Sequence, residues 1–127
     1  LFAEINTQAE SAVDTDGRAI IRFASGVTAY LEWGIGVGYK NEIDLWSDNG
    51  SFYTDKIFSK PENYQPIYRI RDQNGNEFLE DGQKSEQIEV MLREFSKILN
   101  STGRIKREHT RILELAKVMN EIVRFDL

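Results

Sequence analysis

Gly26-Val-Thr-Ala-Tyr-Leu-Glu-Trp33, Tyr39-Lys-Asn-Glu-Ile-Asp-Leu-Trp46 and Ser47-Asp-Asn-Gly-Ser-Phe-Tyr-Thr54 form the stretch that decides the fold. Apolar and polar residues alternate through each segment, the pattern of a strand with one buried face. Alternation puts Val27, Ala29, Leu31 and Trp33 on one side and Thr28, Tyr30 and Glu32 on the other. Ile43 and Leu45 share a side, and Trp46 falls opposite them. Asn49-Gly50 supplies residues that tolerate positive φ, as a tight hairpin requires. Three consecutive antiparallel strands are therefore expected between Gly26 and Phe58.

Further strands flank them. Leu1 to Thr7 alternates from its first residue, Asp14-Thr-Asp-Gly17 reads as a turn, and Arg18 to Ala24 reads as a second strand. Both prolines lie in Ser59-Lys-Pro-Glu-Asn-Tyr-Gln-Pro66, which predicts a loop. A second hairpin follows, with strands Ile67–Arg71 and Glu77–Glu80 around Asp72-Gln-Asn-Gly-Asn76. The last third is helical. Ser85 is the expected N-cap of one helix, with Ile88, Met91, Leu92, Phe95, Ile98 and Leu99 on its apolar face and Asn100 to Gly103 as its stop. A second helix is expected from about Glu108 to Arg124, with Ile112, Leu115, Ala116, Met119, Ile122 and Val123 inward. The expected fold is α+β: an open, mainly antiparallel sheet with two C-terminal helices packed on one face, in a single domain over residues 1–127.

Composition narrows the function. The net charge of −5 argues against nucleic acid, which needs a basic surplus or stripe. No run approaches the ~20 apolar residues of a membrane helix. The absence of cysteine excludes disulfide and thiolate chemistry and suits a cytoplasmic setting; a single histidine, His109, excludes a multi-histidine metal site. Gly34-Ile-Gly-Val-Gly38 does not have the spacing of a dinucleotide fingerprint and does not open a helix. Glu42 and Asp44 share a strand face and could in principle form a carboxylate pair, but solvated strand charges are the better reading of them. No catalytic, cofactor-binding or metal-binding set assembles from these residues.

Two other groups stand out. Tyr39 and Lys40 follow the glycine break and combine a phenol with a cation suited to hydroxyls or phosphate, so they are candidate substrate-binding residues. Tyr30, Trp46 and Tyr53 are large aromatics expected on the sheet face away from the helices, beside Thr28, Glu32, Glu42 and Asp44. Aromatic groups among polar ones suit an interface, and these three are the candidate residues for pairing between copies.

The segments Asp14-Thr-Asp-Gly-Arg-Ala-Ile-Ile-Arg-Phe23, Gly26 to Gly34 and Tyr39 to Phe52 resemble the C-terminal domain of the glucose–fructose oxidoreductase, inositol dehydrogenase and rhizopine-catabolism oxidoreductase family. Asp55-Lys-Ile-Phe-Ser-Lys-Pro-Glu-Asn-Tyr-Gln-Pro-Ile67 is most similar to the branch that reduces keto groups of nucleotide-linked sugars, and Gln87 to Phe95 also fits. The resemblance implies a substrate-binding and oligomerisation domain of an NAD(P)-dependent sugar oxidoreductase. It implies NAD or NADP in the parent enzyme, an N-terminal nucleotide-binding domain as partner, and sheet pairing between subunits. The family's nucleotide-binding glycines, Glu-Lys-Pro lysine and Asp-x-x-x-His pair have no match in this chain, so it is not expected to be active alone. The missing initiator methionine and the strand-like start fit a piece of a longer protein. The alternative is a free-standing α+β binding or dimerisation module without cofactor.

Overall fold

A computed structural model describes residues 1–7 and 13–125. Seven strands precede two helices: β1 (Phe2–Thr7), β2 (Asp14–Arg22), β3 (Thr28–Gly34), β4 (Glu42–Ser47), β5 (Gly50–Asp55), β6 (Ile67–Asp72), β7 (Glu77–Asp81), α1 (Gln87–Leu99) and α2 (Thr102–Phe125). The α+β class, the antiparallel strands, the open sheet edges and the two C-terminal helices follow the sequence reading. The strands form two sheets, ordered β1-β2-β3 and β4-β5-β6-β7. The chain divides accordingly into two compact units, one of Leu1–Gly38 with Ser101–Leu127, the other of Tyr39–Asn100.

In the first unit, register pairs Ala3 with Ala19 and Ala19 with Leu31, so Ala3, Ala19, Ala29, Leu31 and Trp33 share a face. Ala3, Ala19 and Ile122 of α2 are buried there, with Ile5, Ile21, Trp33 and Val118 packed around them. Phe2 and Phe125 meet edge to face at 6.1 Å. The small alanines let the helix approach closely.

The expected turn at Asp14 to Gly17 is instead the start of β2. Glycine is needed there for space and not for reversal. A Cβ on Gly17 would lie 2.3 Å from the Trp33 ring, which crosses it while its Nε1–H donates to Asp14 at 2.7 Å.

α2 starts six residues before the expected Glu108, and Gly103 lies inside it. Of the residues expected inward, Ile122 is buried, whereas Ile112, Leu115, Met119 and Val123 are exposed. The packed part of α2 is its C-terminal end, where Val118 and Ile122 meet the alanines of β1 and β2 and Phe125 meets Phe2.

In the second unit, Ile43, Phe52, Thr54, Tyr68, Ile70 and Phe78 fall on one face of the sheet. Asp44, Trp46, Tyr53, Arg69 and Arg71 fall on the other. Gly50 closes the β4–β5 hairpin with φ 133°, and a Cβ there would strike the Arg71 carbonyl oxygen at 2.0 Å. Gly34 to Gly38 connects β3 to β4 with no helix after it, as expected from its spacing. The N-cap of α1 is Glu86, without a side-chain cap, and not Ser85. Ser85 Oγ instead accepts a hydrogen bond from Lys60 at 2.8 Å.

Candidate functional site

The candidate site lies in the second unit, at the loop between β5 and β6. Asn41, just before β4, fixes one end of that loop. Its carbonyl accepts from the Lys56 N–H at 2.5 Å, its Oδ1 accepts from the Phe58 N–H at 3.0 Å, and its Nδ2 donates to the Ser59 carbonyl at 3.0 Å. The same end is held from α1, where Gln87 Nε2 donates to the Phe58 carbonyl at 3.1 Å, and the other end is tied to Gly82, whose carbonyl accepts from Gln65 Nε2 at 2.6 Å and whose N–H donates to the Pro66 carbonyl at 2.8 Å. Lys56 adopts φ 51° and Asn63 φ 61°, both left-handed and both non-glycine. The Lys56 ammonium lies 4.1 Å from the centre of the Tyr64 ring and 3.8 Å from Asp55. The Tyr64 hydroxyl donates to Asp55. That hydrogen bond, with desolvation and the Asp55 charge, pushes the Tyr64 pKa up to about 12.

Beneath the loop is a cavity of about 490 Å³. Its floor is the apolar sheet face, where Phe52 and Tyr68 pair at 5.5 Å with rings tilted by 42°. Asp55, Lys56 and Lys60 line it on the loop side, Ser85, Gln87 and Val90 line it on the helix side, and it is open to solvent. The volume lies within the 300–1,000 Å³ of small-molecule sites, and an apolar floor with a few polar groups is their usual construction.

Tyr39 borders this loop. Its hydroxyl receives a hydrogen bond from Asn41 at 3.2 Å and reaches the Ser59 carbonyl at 3.5 Å, while the residue is 75% exposed. Lys40 points to Glu42 at 3.5 Å. Neither lines the cavity.

The candidate interface residues separate. Tyr30 is 77% exposed on β3 of the first sheet, whereas Trp46 and Tyr53 lie on the second. Trp46 is 92% exposed. Tyr53 is half-buried, donates to Glu42 at 3.0 Å and lies 5.6 Å from the Arg69 guanidinium. The Glu42 hydrogen bond, then desolvation, raises its pKa. Arg71 completes this polar face by pairing with Glu77 at 2.8 Å.

Among the described residues, no group of histidine, aspartate and glutamate has the arrangement of a metal site. No described helix is long and apolar enough to cross a membrane.

Comparison with known proteins gives the affinity of the chain. No protein-family model matches it. Over 70 residues, 55% of its length, it is 30% identical to the dTDP-3,4-didehydro-2,6-dideoxy-alpha-D-glucose 3-reductase of Saccharopolyspora spinosa. It is 28% identical over 72 residues to the protein of the same description from Actinomadura kijaniata. The chain is similar to the C-terminal region of nucleotide-sugar 3-ketoreductases. The crystal structure of one 3-ketoreductase, KijD10 from Actinomadura kijaniata in complex with NADP and TDP-benzene, matches 76% of this chain with a TM-score of 0.69 at 24% identity. The structure of KijD10 with NADP matches 78% with a TM-score of 0.70 at 23% identity. At these identities the likeness establishes the fold. The match covers 30% and 31% of those chains, and the chain spans about a fifth of the length of the two reductases.

The sequence carries no signal for Asn41 or Lys56 and a weak one for Tyr64. Their roles depend on backbone φ and on contacts across the loop. The one available signal was the position of Tyr64 between Pro61 and Pro66, where a ring is held close to the strand ends.

Proposed function

We propose that residues 1–127 are the C-terminal substrate-binding and oligomerisation domain of an NADP-dependent ketoreductase acting on a nucleotide-linked sugar. The observation that carries this reading is the 30% identity to a dTDP-sugar 3-reductase. The cavity under the loop adds a site of suitable size. On this reading the protein is cytoplasmic, and its N-terminal nucleotide-binding domain supplies the cofactor and the catalytic groups. This chain supplies one wall of the substrate pocket. Tyr39 and Lys40 lie near the substrate, where the phenol and the ammonium meet hydroxyls or phosphate. Copies of the protein pair through the polar sheet faces, with Tyr30, Trp46 and Tyr53 in the interface. The exposure of Tyr30 and Trp46 supports this, because burying such rings contributes ~25 cal/mol per Å².

Calorimetry tests the division of labour. NADPH titrated into residues 1–127 alone is expected to give no binding, because no glycine loop opens a helix there to hold a pyrophosphate. The full-length protein is expected to bind it. Sub-millimolar NADPH binding by the isolated chain would contradict the reading. In the full-length enzyme, Tyr39→Phe and Lys40→Ala should each lower kcat/KM, and unchanged values would remove these two residues from the pocket.

A further inference from the structure

We infer that the cavity under the β5–β6 loop binds the nucleoside diphosphate part of the substrate, with Lys56 and Lys60 taking the phosphates and the Phe52–Tyr68 pair taking the base. This rests on the nucleotide-sugar reading above and locates one part of that substrate.

Three features of the cavity carry the inference. The first is charge. In a protein of net charge −5, the charged residues lining this cavity are two lysines and one aspartate, a local excess of one positive charge. The Asp55 carboxylate is already engaged by the Tyr64 hydroxyl on one oxygen. The Lys60 ammonium donates to Ser85 at 2.8 Å, which uses one of its three N–H groups and leaves two for phosphate oxygens.

The second is the floor. Phe52 and Tyr68 offer ring surface on the same sheet face, and aromatic faces hold a nucleobase by stacking without requiring a particular sequence of donors. A purely anionic ligand would not need that floor, and a purely apolar one would not need the lysines.

The third is rigidity. Lys56 is held in a left-handed conformation by its own backbone bond to Asn41 and by the Tyr64 ring beneath its ammonium. Non-glycine residues kept in such conformations cluster at ligand sites, because the surroundings must fix them. Gln87 and Lys60 tie the same loop to the start of α1, so the cations are positioned before a ligand arrives.

The test titrates thymidine diphosphate, pyrophosphate and thymidine separately into the full-length protein, followed by calorimetry. Thymidine diphosphate should bind most tightly. Lys56→Met and Lys60→Met should each weaken it tenfold or more and abolish pyrophosphate binding, with NADP affinity unchanged, and Lys60→Arg should stay within threefold of the wild type. Lys60→Gln serves as a second neutral variant if Lys60→Met does not give the wild-type circular dichroism. Thymidine diphosphate binding that ignores both lysines would overturn this assignment while leaving the nucleotide-sugar reading intact. No binding of thymidine diphosphate to the wild type would overturn both. Lysine-dependent binding of pyrophosphate as tight as that of thymidine diphosphate would overturn the role given to the ring pair.

Discussion

Adding a single methyl group at Gly17 should break the core of the first unit. The Cβ of Gly17→Ala would stand 2.3, 2.7 and 2.8 Å from three carbons of the Trp33 ring. Ordinary contact begins near 3.4 Å, so the indole must retreat by about 1 Å. That movement stretches the 2.7 Å hydrogen bond from Trp33 to Asp14 and opens the packing around Ala3, Ala19 and Ile122. Overpacking costs about 1–3 kcal/mol. Losing a hydrogen bond to a carboxylate costs about 1.5–3 kcal/mol, and the lower end applies to a half-buried pair. Alanine returns ~0.5–1 kcal/mol by restricting the unfolded chain. The net expectation is a loss of roughly 2–4 kcal/mol, a large share of the ~5–15 kcal/mol that holds a domain together. Urea unfolding followed by far-UV circular dichroism reads it in every variant, including those that lack Trp33. In a Trp33→Phe background the shorter ring leaves room for the methyl group. The two substitutions should therefore couple by more than ~1 kcal/mol. A Gly17→Ala protein within ~0.5 kcal/mol of the wild type, or additive effects of the two substitutions, would refute the packing argument.

Tyr64 should resist ionisation until about pH 12, and Asp55→Asn should bring its spectroscopic titration back toward 10. The folded-state pKa of this acid is raised, so its protonated form is the one the fold stabilises. That contribution is complete below pH ~10 and disappears as the pH climbs toward 12. Asn41→Ala removes the side-chain bonds to Phe58, Ser59 and Tyr39 and should free the loop, read as faster proteolysis between Ser59 and Glu62 at a stability loss of ~1–2 kcal/mol. Proteolysis at the wild-type rate would show that other contacts hold the loop. Asp72 accepts from the Asn76 side chain and from the Asn74 and Asn76 N–H groups, which hold its carboxyl below the usual carboxylate range. This stabilisation is present above pH ~4 and is lost as the pH falls through the lowered value, so the protection of the Asn74 and Asn76 amides, taken relative to the intrinsic exchange rate at each pH, should fall on acidification in the wild type and be small already at neutral pH in Asp72→Ala. In sedimentation velocity, Tyr30→Ser with Trp46→Ser should shift the protein toward monomer, and an unchanged oligomer would place the contact on another surface.

Strand alternation was the most legible feature of the sequence. Trp33 with Leu31, and Trp46 opposite Leu45, both follow from a period of two, and both registers hold. What the pattern could not give was the division of the strands between two sheets, because alternation specifies faces and not neighbours. Asp14 to Gly17 carries turn residues, yet it is strand, because pairing with β1 and β3 overrides local preference. The start of α2 was hidden by Gly103, which in sequence reads as a stop. Resemblance led toward the reaction class, but the cavity was invisible. Lys56, Lys60, Ser85 and Phe52 are distant in sequence and meet only once the loop is folded.

The most direct test of the central claim is NADPH consumption by the full-length protein in the presence of a dTDP-linked 3-keto sugar. NADPH absorbance should fall only when both reactants are present, and thymidine diphosphate should inhibit the reaction competitively. A folded full-length protein that binds NADPH yet leaves every nucleotide-linked keto sugar unreduced would contradict it.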